Sequence, residues 1–347
     1  MSKLLILFAI IFYSFQSLSL DVDKTIDSTI QNNPKVKIGL EKLQESKELI
    51  EKALGAKLPI ITSTISGTYS NTDSKTATKS TTPETFTDKY KLSVTQNLYD
   101  AGYNDLEIER SKILFNNEII NFKIIIQDLI LDAIIGYLTV INYEKSFEAT
   151  IKNYESLLKT LEETKTKFNF GSSTLYELQS AESSFSVATA NLFAAEQNVE
   201  ISKKSFKRIV GLEAVDLEDV VDIDSSINLF SIIDNAMVNN LNLQLIRNDI
   251  KNKEIILLKE NTTKKPNLDL TGSAEYSYGG RIDAGTETTK GSISLTLTIP
   301  IYQQGIDDSN IRKYRSQILQ SKLNFEDYKE DLQIQISNVV KDFNING

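Results

Sequence analysis

Lys167-Phe168-Asn169-Phe170-Gly171-Ser172-Ser173-Thr174-Leu175-Tyr176-Glu177 separates two long segments whose apolar residues recur in sevens. Upstream the series is Ile119, Ile126, Ala133, Val140, Phe147, Tyr154, Leu161 and Phe168. Downstream it is Leu178, Phe185, Leu192, Val199 and Phe206, with Ala181, Ala188 and Ala195 in a second register three residues on. A heptad repeat sustained this long predicts helices packed lengthwise as coiled coils. Apart from Gly136, Gly171 is the only glycine between Gly102 and Gly211. It reads as a helix stop, with Ser172, Ser173 or Thr174 as the N-cap of the return helix. The stretch is therefore the expected tip of a long antiparallel helical hairpin.

Composition narrows what such a hairpin serves. The 347-residue chain carries a formal net charge of -9, against the basic patch of a nucleic-acid binder. It has neither Cys nor His, which removes disulfides, thiolate sites, the commonest general base and the commonest metal ligand. No catalytic constellation, cofactor motif or metal-ligand spacing is found, and an enzyme is not expected. Residues 1–19 have the anatomy of a secretory signal peptide: a basic start at Lys3, an apolar run from Leu4 to Phe15, and small Ser17 and Ser19 before Asp21. No later stretch is expected to be apolar enough for a transmembrane helix.

The first structural repeat is expected over 20–226. It opens with a short helix ending before Pro34 and a second from Lys35 to Lys57, with Val36, Leu40, Leu43, Ile50 and Leu54 as its apolar positions. The period then changes to two: Ile61, Ile65 and Tyr69 alternate with Thr62, Thr64, Ser66 and Thr68. After a polar loop from Ser70 to Thr87, Tyr90, Leu92, Val94, Gln96 and Leu98 alternate with Lys91, Ser93, Thr95 and Asn97. These two strands of about ten residues form a hairpin over 60–99. The long helical hairpin follows over 103–210; its first helix would measure on the order of 100 Å if unbroken. An acidic connector completes the repeat.

A second repeat over 227–347 restates this order. Asn239-Asn240-Leu241 answers Asn32-Asn33-Pro34, and Pro266 answers Pro59. A second strand hairpin over 267–302, with a Gly-rich loop from Gly279 to Gly291, ends in Ile301-Tyr302-Gln303-Gln304-Gly305. That segment copies Leu98-Tyr99-Asp100-Ala101-Gly102. A helix then starts near Asp307 but meets Gly347 before any second tip, and a complete duplication would need roughly seventy further residues, so a fragment is expected. Four strands with one apolar and one hydroxyl-bearing face have the length of barrel strands crossing a bilayer. Four cannot close a barrel, so a membrane placement requires an oligomer. Tyr69, Tyr90, Tyr99, Tyr276, Tyr278 and Tyr302 suit aromatic girdles and, equally, ordinary strand propensity.

On these features the chain resembles the TolC-type outer-membrane efflux proteins. Their tip motif is basic-aromatic-x-x-Gly-x-x-Thr/Ser-x-x-Asp-Val/Leu followed by Ala; Lys167, Phe168, Gly171, Thr174, Leu178 and Ala181 fit it, with Glu177 in place of Asp. Tyr99, Gly102, Tyr302 and Gly305 mark the family's strand-to-helix joints. The resemblance implies a mainly α fold with β, in which long coiled-coil helices form an α-barrel and four strands per subunit enter a trimeric twelve-stranded β-barrel. It implies placement in the outer membrane, in contact with its lipid, with the helices in the periplasm. It also implies docking of the tip (Lys167, Phe168, Gly171, Thr174, Glu177) onto a periplasmic adaptor and an inner-membrane pump, in multidrug efflux or type I secretion. The alternative is a periplasmic adaptor, which also carries long helical hairpins; the paired alternating strands argue against it.

Overall fold

The structure is a computed structural model. It describes residues 20–346 apart from 72–73, 77–78, 82–83, 220–235 and 282–283. The expected signal peptide and part of the acidic connector lie outside the described residues. The chain forms two compact units: residues 1–40 with 122–226, and residues 41–121 with 227–347.

The first unit is helical. It holds α1 (Val22–Asn32), the start of α2 (Pro34–Gly55), the distal part of α3 (Tyr103–Asn169) and α4 (Leu175–Val210). The heptad positions pack as their spacing requires. Ala133, Val140, Leu161, Ala188, Val199 and Phe206 are buried, and the Tyr154 and Phe185 rings meet at 5.2 Å between centroids. The core gathers Ala133, Tyr137, Val140, Phe206 and Val210 with Leu20 and Ala214. The fully buried Tyr137 hydroxyl lies 2.8 Å from the Leu20 carbonyl and 2.7 Å from that of Glu218. It thereby holds together two segments that also form a parallel bridge between Leu20 and Leu217. The connector begins with Ala214 buried in this core, while its acidic residues Glu213, Asp216, Glu218 and Asp219 are exposed. The C-terminal carbonyls of α4, which have no partner within the helix, are met by α1. Ser28 Oγ donates to the Val210 carbonyl (3.0 Å) and Asn33 Nδ2 to that of Ile209 (2.9 Å).

One expectation fails in α3. Its residues 124–141, charged only at Asp128 and Asp132, are long and apolar enough by length and composition to cross a membrane. Within that run Leu129, Ala133, Tyr137 and Val140 are buried, whereas Leu131, Ile135 and Leu138 are exposed.

The second unit contains the sheet, the rest of α2, the start of α3, α5 (Leu241–Thr262) and α6 (Ile306–Asn346). The sheet is antiparallel in the order β1 (Ile60–Asn71), β4 (Glu84–Tyr99), β5 (Asn267–Arg281) and β6 (Ala284–Thr298). A small hairpin of β2 (Ser74–Thr76) and β3 (Lys79–Thr81) lies between β1 and β4 in the chain. The strands run 12 to 16 residues, longer than the ten expected. Most of the predicted loops, Ser70–Thr87 and Gly279–Gly291, is paired strand: Ser70 stands opposite Thr85 and Gly279 opposite Thr286. Thr combines a β-branched frame with a polar hydroxyl, so a Thr/Ser run extends a strand while looking like loop composition.

Strands from both expected repeats enter this one sheet, β4 pairing with β5 from Thr85–Arg281 to Tyr99–Leu268. The helices are joined by polar as well as apolar contacts. Ser321 Oγ donates to Asp249 (2.7 Å), Asn310 to Glu260 (2.7 Å), and the Arg247 guanidinium stacks 5.3 Å over the Phe325 ring. In α2 the inward positions include Val36, Ser46 and Ala53, which are buried, while Leu40 and Leu54, expected among the apolar set, are exposed.

Candidate functional site

At the tip, α3 ends in two interlocking hydrogen bonds. The Ser172 N–H donates to the Lys167 carbonyl (2.8 Å) and the Gly171 N–H to the Phe168 carbonyl (2.9 Å). This is the Schellman closure, which requires a left-handed residue after the helix; Gly171 supplies it at φ 73°. Three residues on, Thr174 caps α4. Its side chain accepts from the Glu177 N–H (3.2 Å), and Glu177 Oε2 accepts in return from the Thr174 N–H (2.8 Å) and from Ser173 Oγ (2.7 Å). Of the three N-caps open from sequence, Thr174 takes the role. The backbone bond from Thr174, then the Ser173 hydroxyl, hold the Glu177 carboxyl below the usual carboxylate range.

The five tip residues named from the sequence therefore share one reverse turn, and most of what they do there is local. Lys167 and Phe168 contribute carbonyls, Gly171 a backbone conformation, and Thr174 and Glu177 a reciprocal cap. The side chains that project furthest are others: Phe170 is 83% exposed and Tyr176 80%, against 36% for Phe168. The sequence signal for them was available, since both are aromatics lying off the seven-residue register beside a turn.

The two strand-to-helix joints are built alike. Each turns through two consecutive left-handed residues, Ala101 (φ 59°) and Gly102 (φ 86°) in the first, Gln304 (φ 54°) and Gly305 (φ 72°) in the second. In the first joint Asp100 caps α3, its carboxylate accepting from the N–H groups of Gly102 (2.9 Å) and Asn104 (2.8 Å). In the second joint Gln303 holds that position, its amide donating to the Asp307 carboxylate (3.0 Å). Tyr99 is the last residue of β4, whereas Tyr302 lies beyond β6, which ends at Thr298 rather than at the expected residue 302; both are exposed. Beyond the first joint, burial pushes the Glu107 carboxyl up, but bonds from Lys259 and Arg110 outweigh it and leave the group below its ordinary value. Lys259 also lies 4.3 Å over the Tyr103 ring.

The sheet has two unlike faces. One row set aligns Ile61 with Val94, Ile65 with Tyr90, and Tyr90 with Tyr276, and carries Ile293, Leu295 and Leu297 on β6. Among these, Ile65 is 73% exposed and Ile293 84%. The other face is hydroxyl-rich: Thr62 bonds Ser93 (2.6 Å) and Ser273 bonds Ser292 (2.9 Å) across the strands. Among the described residues no group of acidic side chains is placed to hold a metal ion.

A heptad hairpin, two matched strand-to-helix joints and a sheet apolar on one exposed face coincide with a match of residues 25–212 to the family described as outer membrane efflux protein. The chain belongs to that family. Its members are transport proteins of the outer membrane rather than enzymes, so the adaptor alternative is set aside. Among curated relatives, the outer membrane protein TolC of Escherichia coli K12 is 24% identical over 270 residues, covering 72% of this chain and 52% of TolC. TolC of Vibrio cholerae is 24% identical over 229 residues, covering 62% and 50%. The chain thus spans about half the length of the curated relatives it matches. The fold is that of the Campylobacter jejuni CmeC outer membrane channel, with a TM-score of 0.72 at 17% identity over 92% of this chain and 71% of CmeC. It also matches Vibrio cholerae VceC (TM-score 0.69, 13% identity, 92% and 78% covered).

Proposed function

We propose that this outer membrane efflux protein acts as the exit duct of a tripartite export system, passively conducting small molecules or secreted proteins from an inner-membrane pump to the exterior. The observation that carries the reading is the four-stranded sheet, whose apolar face and two outer strands, β1 and β6, have no partner among the described residues. Open strand edges are not tolerated in lipid. Three copies joined edge to edge would remove every edge and make a twelve-stranded barrel, apolar toward lipid and hydroxyl-lined toward water. The exposed apolar residues Leu131, Ile135 and Leu138 supply further surface for neighbouring copies along the helices.

In this reading residues 20–226 and 227–347 are tandem repeats of one helix–hairpin–helix plan, and the helices extend into the periplasm. The tip around Lys167, Phe168, Gly171, Thr174 and Glu177 docks onto a periplasmic adaptor, its rigid turn presenting Phe170 and Tyr176. Expression in a Gram-negative host, followed by membrane fractionation and chemical cross-linking, tests the assignment. Recovery in the outer membrane as a cross-linked trimer is expected. A soluble periplasmic monomer would overturn it.

A further inference from the structure

The hydroxyl-lined face of the sheet is interrupted at one level by charge. In a single row across three strands, Lys91 of β4 stands opposite Glu275 of β5, and Glu275 opposite Lys290 of β6. One step along β4 on the same face, Lys89 reaches the same carboxylate, Nζ to Oε1 3.2 Å. The register thus places three lysines about one glutamate, of which Lys89 makes the ion-pair contact, an excess of two positive charges in a chain whose net charge is -9. From Thr87 to the joint, the only other ionisable residue on this face is Asp269, near its far end. There its two carboxylate oxygens accept from Asn97 and Asn267, each at 2.9 Å. The rows between hold Ser93, Thr95, Thr271, Ser273, Ser292 and Ser294, neutral hydrogen-bonding groups that do not distinguish solute charge.

We propose that Lys89, Lys91 and Lys290 form a basic belt that makes the conduit favour small anionic solutes, such as carboxylates and phosphate esters, over cations of the same size. The inference rests on the duct reading, in which this face lines the water-filled lumen. Lys89 and Glu275 neutralise one another by direct contact, leaving the charges of Lys91 and Lys290 to the lumen. Both are exposed, so their ammonium groups reach the solution. A lumen wall of low dielectric focuses their field on the axis. Repetition around a closed barrel turns the pair into a ring, the arrangement by which basic side chains give pores anion selectivity.

The test is reversal potential in planar phospholipid bilayers containing the full chain, under a potassium chloride gradient. Chloride should permeate about fivefold better than potassium near 0.1 M salt, with the preference fading near 1 M as the Debye length falls from about 10 Å to about 3 Å. Replacing all three lysines (Lys89→Gln, Lys91→Gln, Lys290→Gln) should bring the ratio close to one. Glu275→Gln should shift it the other way, further toward anions. The corresponding Lys→Arg triple variant should keep the wild-type ratio, and with Glu275→Gln it decides the question if the glutamine variant does not assemble. Conductance with a ratio indifferent to these changes would overturn the belt alone. Absence of any conductance from the wild-type chain would overturn the duct reading and the belt with it.

Discussion

Lys264 and Asp308 form an ion pair across the second strand-to-helix joint, where Lys57 and Asp105 form one across the first. Each lysine stands two residues before a proline, Pro266 or Pro59, and each aspartate three residues after the joint glycine. The bond from Lys264 holds the Asp308 carboxyl below its ordinary value of 3.8. A carboxyl lowered in the folded chain contributes stability that is present above pH 3.8 and lost as pH falls through the lowered value. Both pairs are solvent-exposed, so Lys264→Met is expected to change thermal stability only slightly, and not at all in about 1 M salt. A melting series at two ionic strengths checks this.

Gly171 adopts φ 73°, yet a side chain there would meet nothing within 4 Å. The cost of substitution is therefore purely backbone strain. Gly171→Val should destabilise the hairpin by roughly 1–2 kcal/mol, while Gly171→Asn should be mild because Asn tolerates the left-handed region. If the tip docks a partner, Gly171→Val impairs export more than trimer formation; equal loss of both would leave the residue a structural role only. Export assays run beside cross-linking separate the two.

Thr174→Ala removes the cap of α4 and should cost about 1 kcal/mol, with Thr174→Ser close to wild type. The contribution of the Glu177 carboxylate has its own signature. Its carboxyl is lowered from 4.5 by the Thr174 backbone, so the cap should persist at pH 4.5 and fail only as pH falls through the lowered value. Circular dichroism against pH should show that transition in the wild type and lose it in Glu177→Gln.

Tyr137→Phe keeps the ring among Phe206, Val140 and Ala133 but leaves two carbonyls without their hydroxyl. A loss of about 1–3 kcal/mol is expected. Hydrogen exchange should locate it in the segments around Leu20 and Glu218, where the hydroxyl joins the chain. Faster exchange confined to the helical tip would contradict the assignment.

What could be read from the residues was whatever is written locally. The Gly171 turn and the two joints each lie within a few consecutive residues, and the heptads, though long, repeat one local spacing. Strand ends are not legible in Ser70–Thr87 and Gly279–Gly291, which have the composition of loops and the alternation of strands. The outward placement of Leu40 and Leu54 was hidden because α2 turns small residues such as Ser46 and Ala53 inward. The basic belt was illegible for a different reason. Lys91, Glu275 and Lys290 become neighbours only through the register of β4 on β5 and β5 on β6, and no local pattern states which residue of one strand opposes which of another. At the tip, the motif picks out the residues that build the turn, while the exposure of Phe170 and Tyr176 becomes visible only once the turn is folded.

At the first joint the doubled left-handed turn at Ala101-Gly102 leaves only Asp100, Ala101 and Gly102 between β4 and α3, and so almost no slack between sheet and helix. Two incommensurate rhythms meet there without a buffer. One residue inserted in β4 would exchange its apolar and hydroxyl-bearing faces, and one inserted early in α3 would rotate everything beyond it by about 100°. Neither error can be absorbed at the joint. Changes of length in this chain should therefore be tolerated away from that junction, and libraries that vary loop length should find the β4-to-α3 boundary unforgiving.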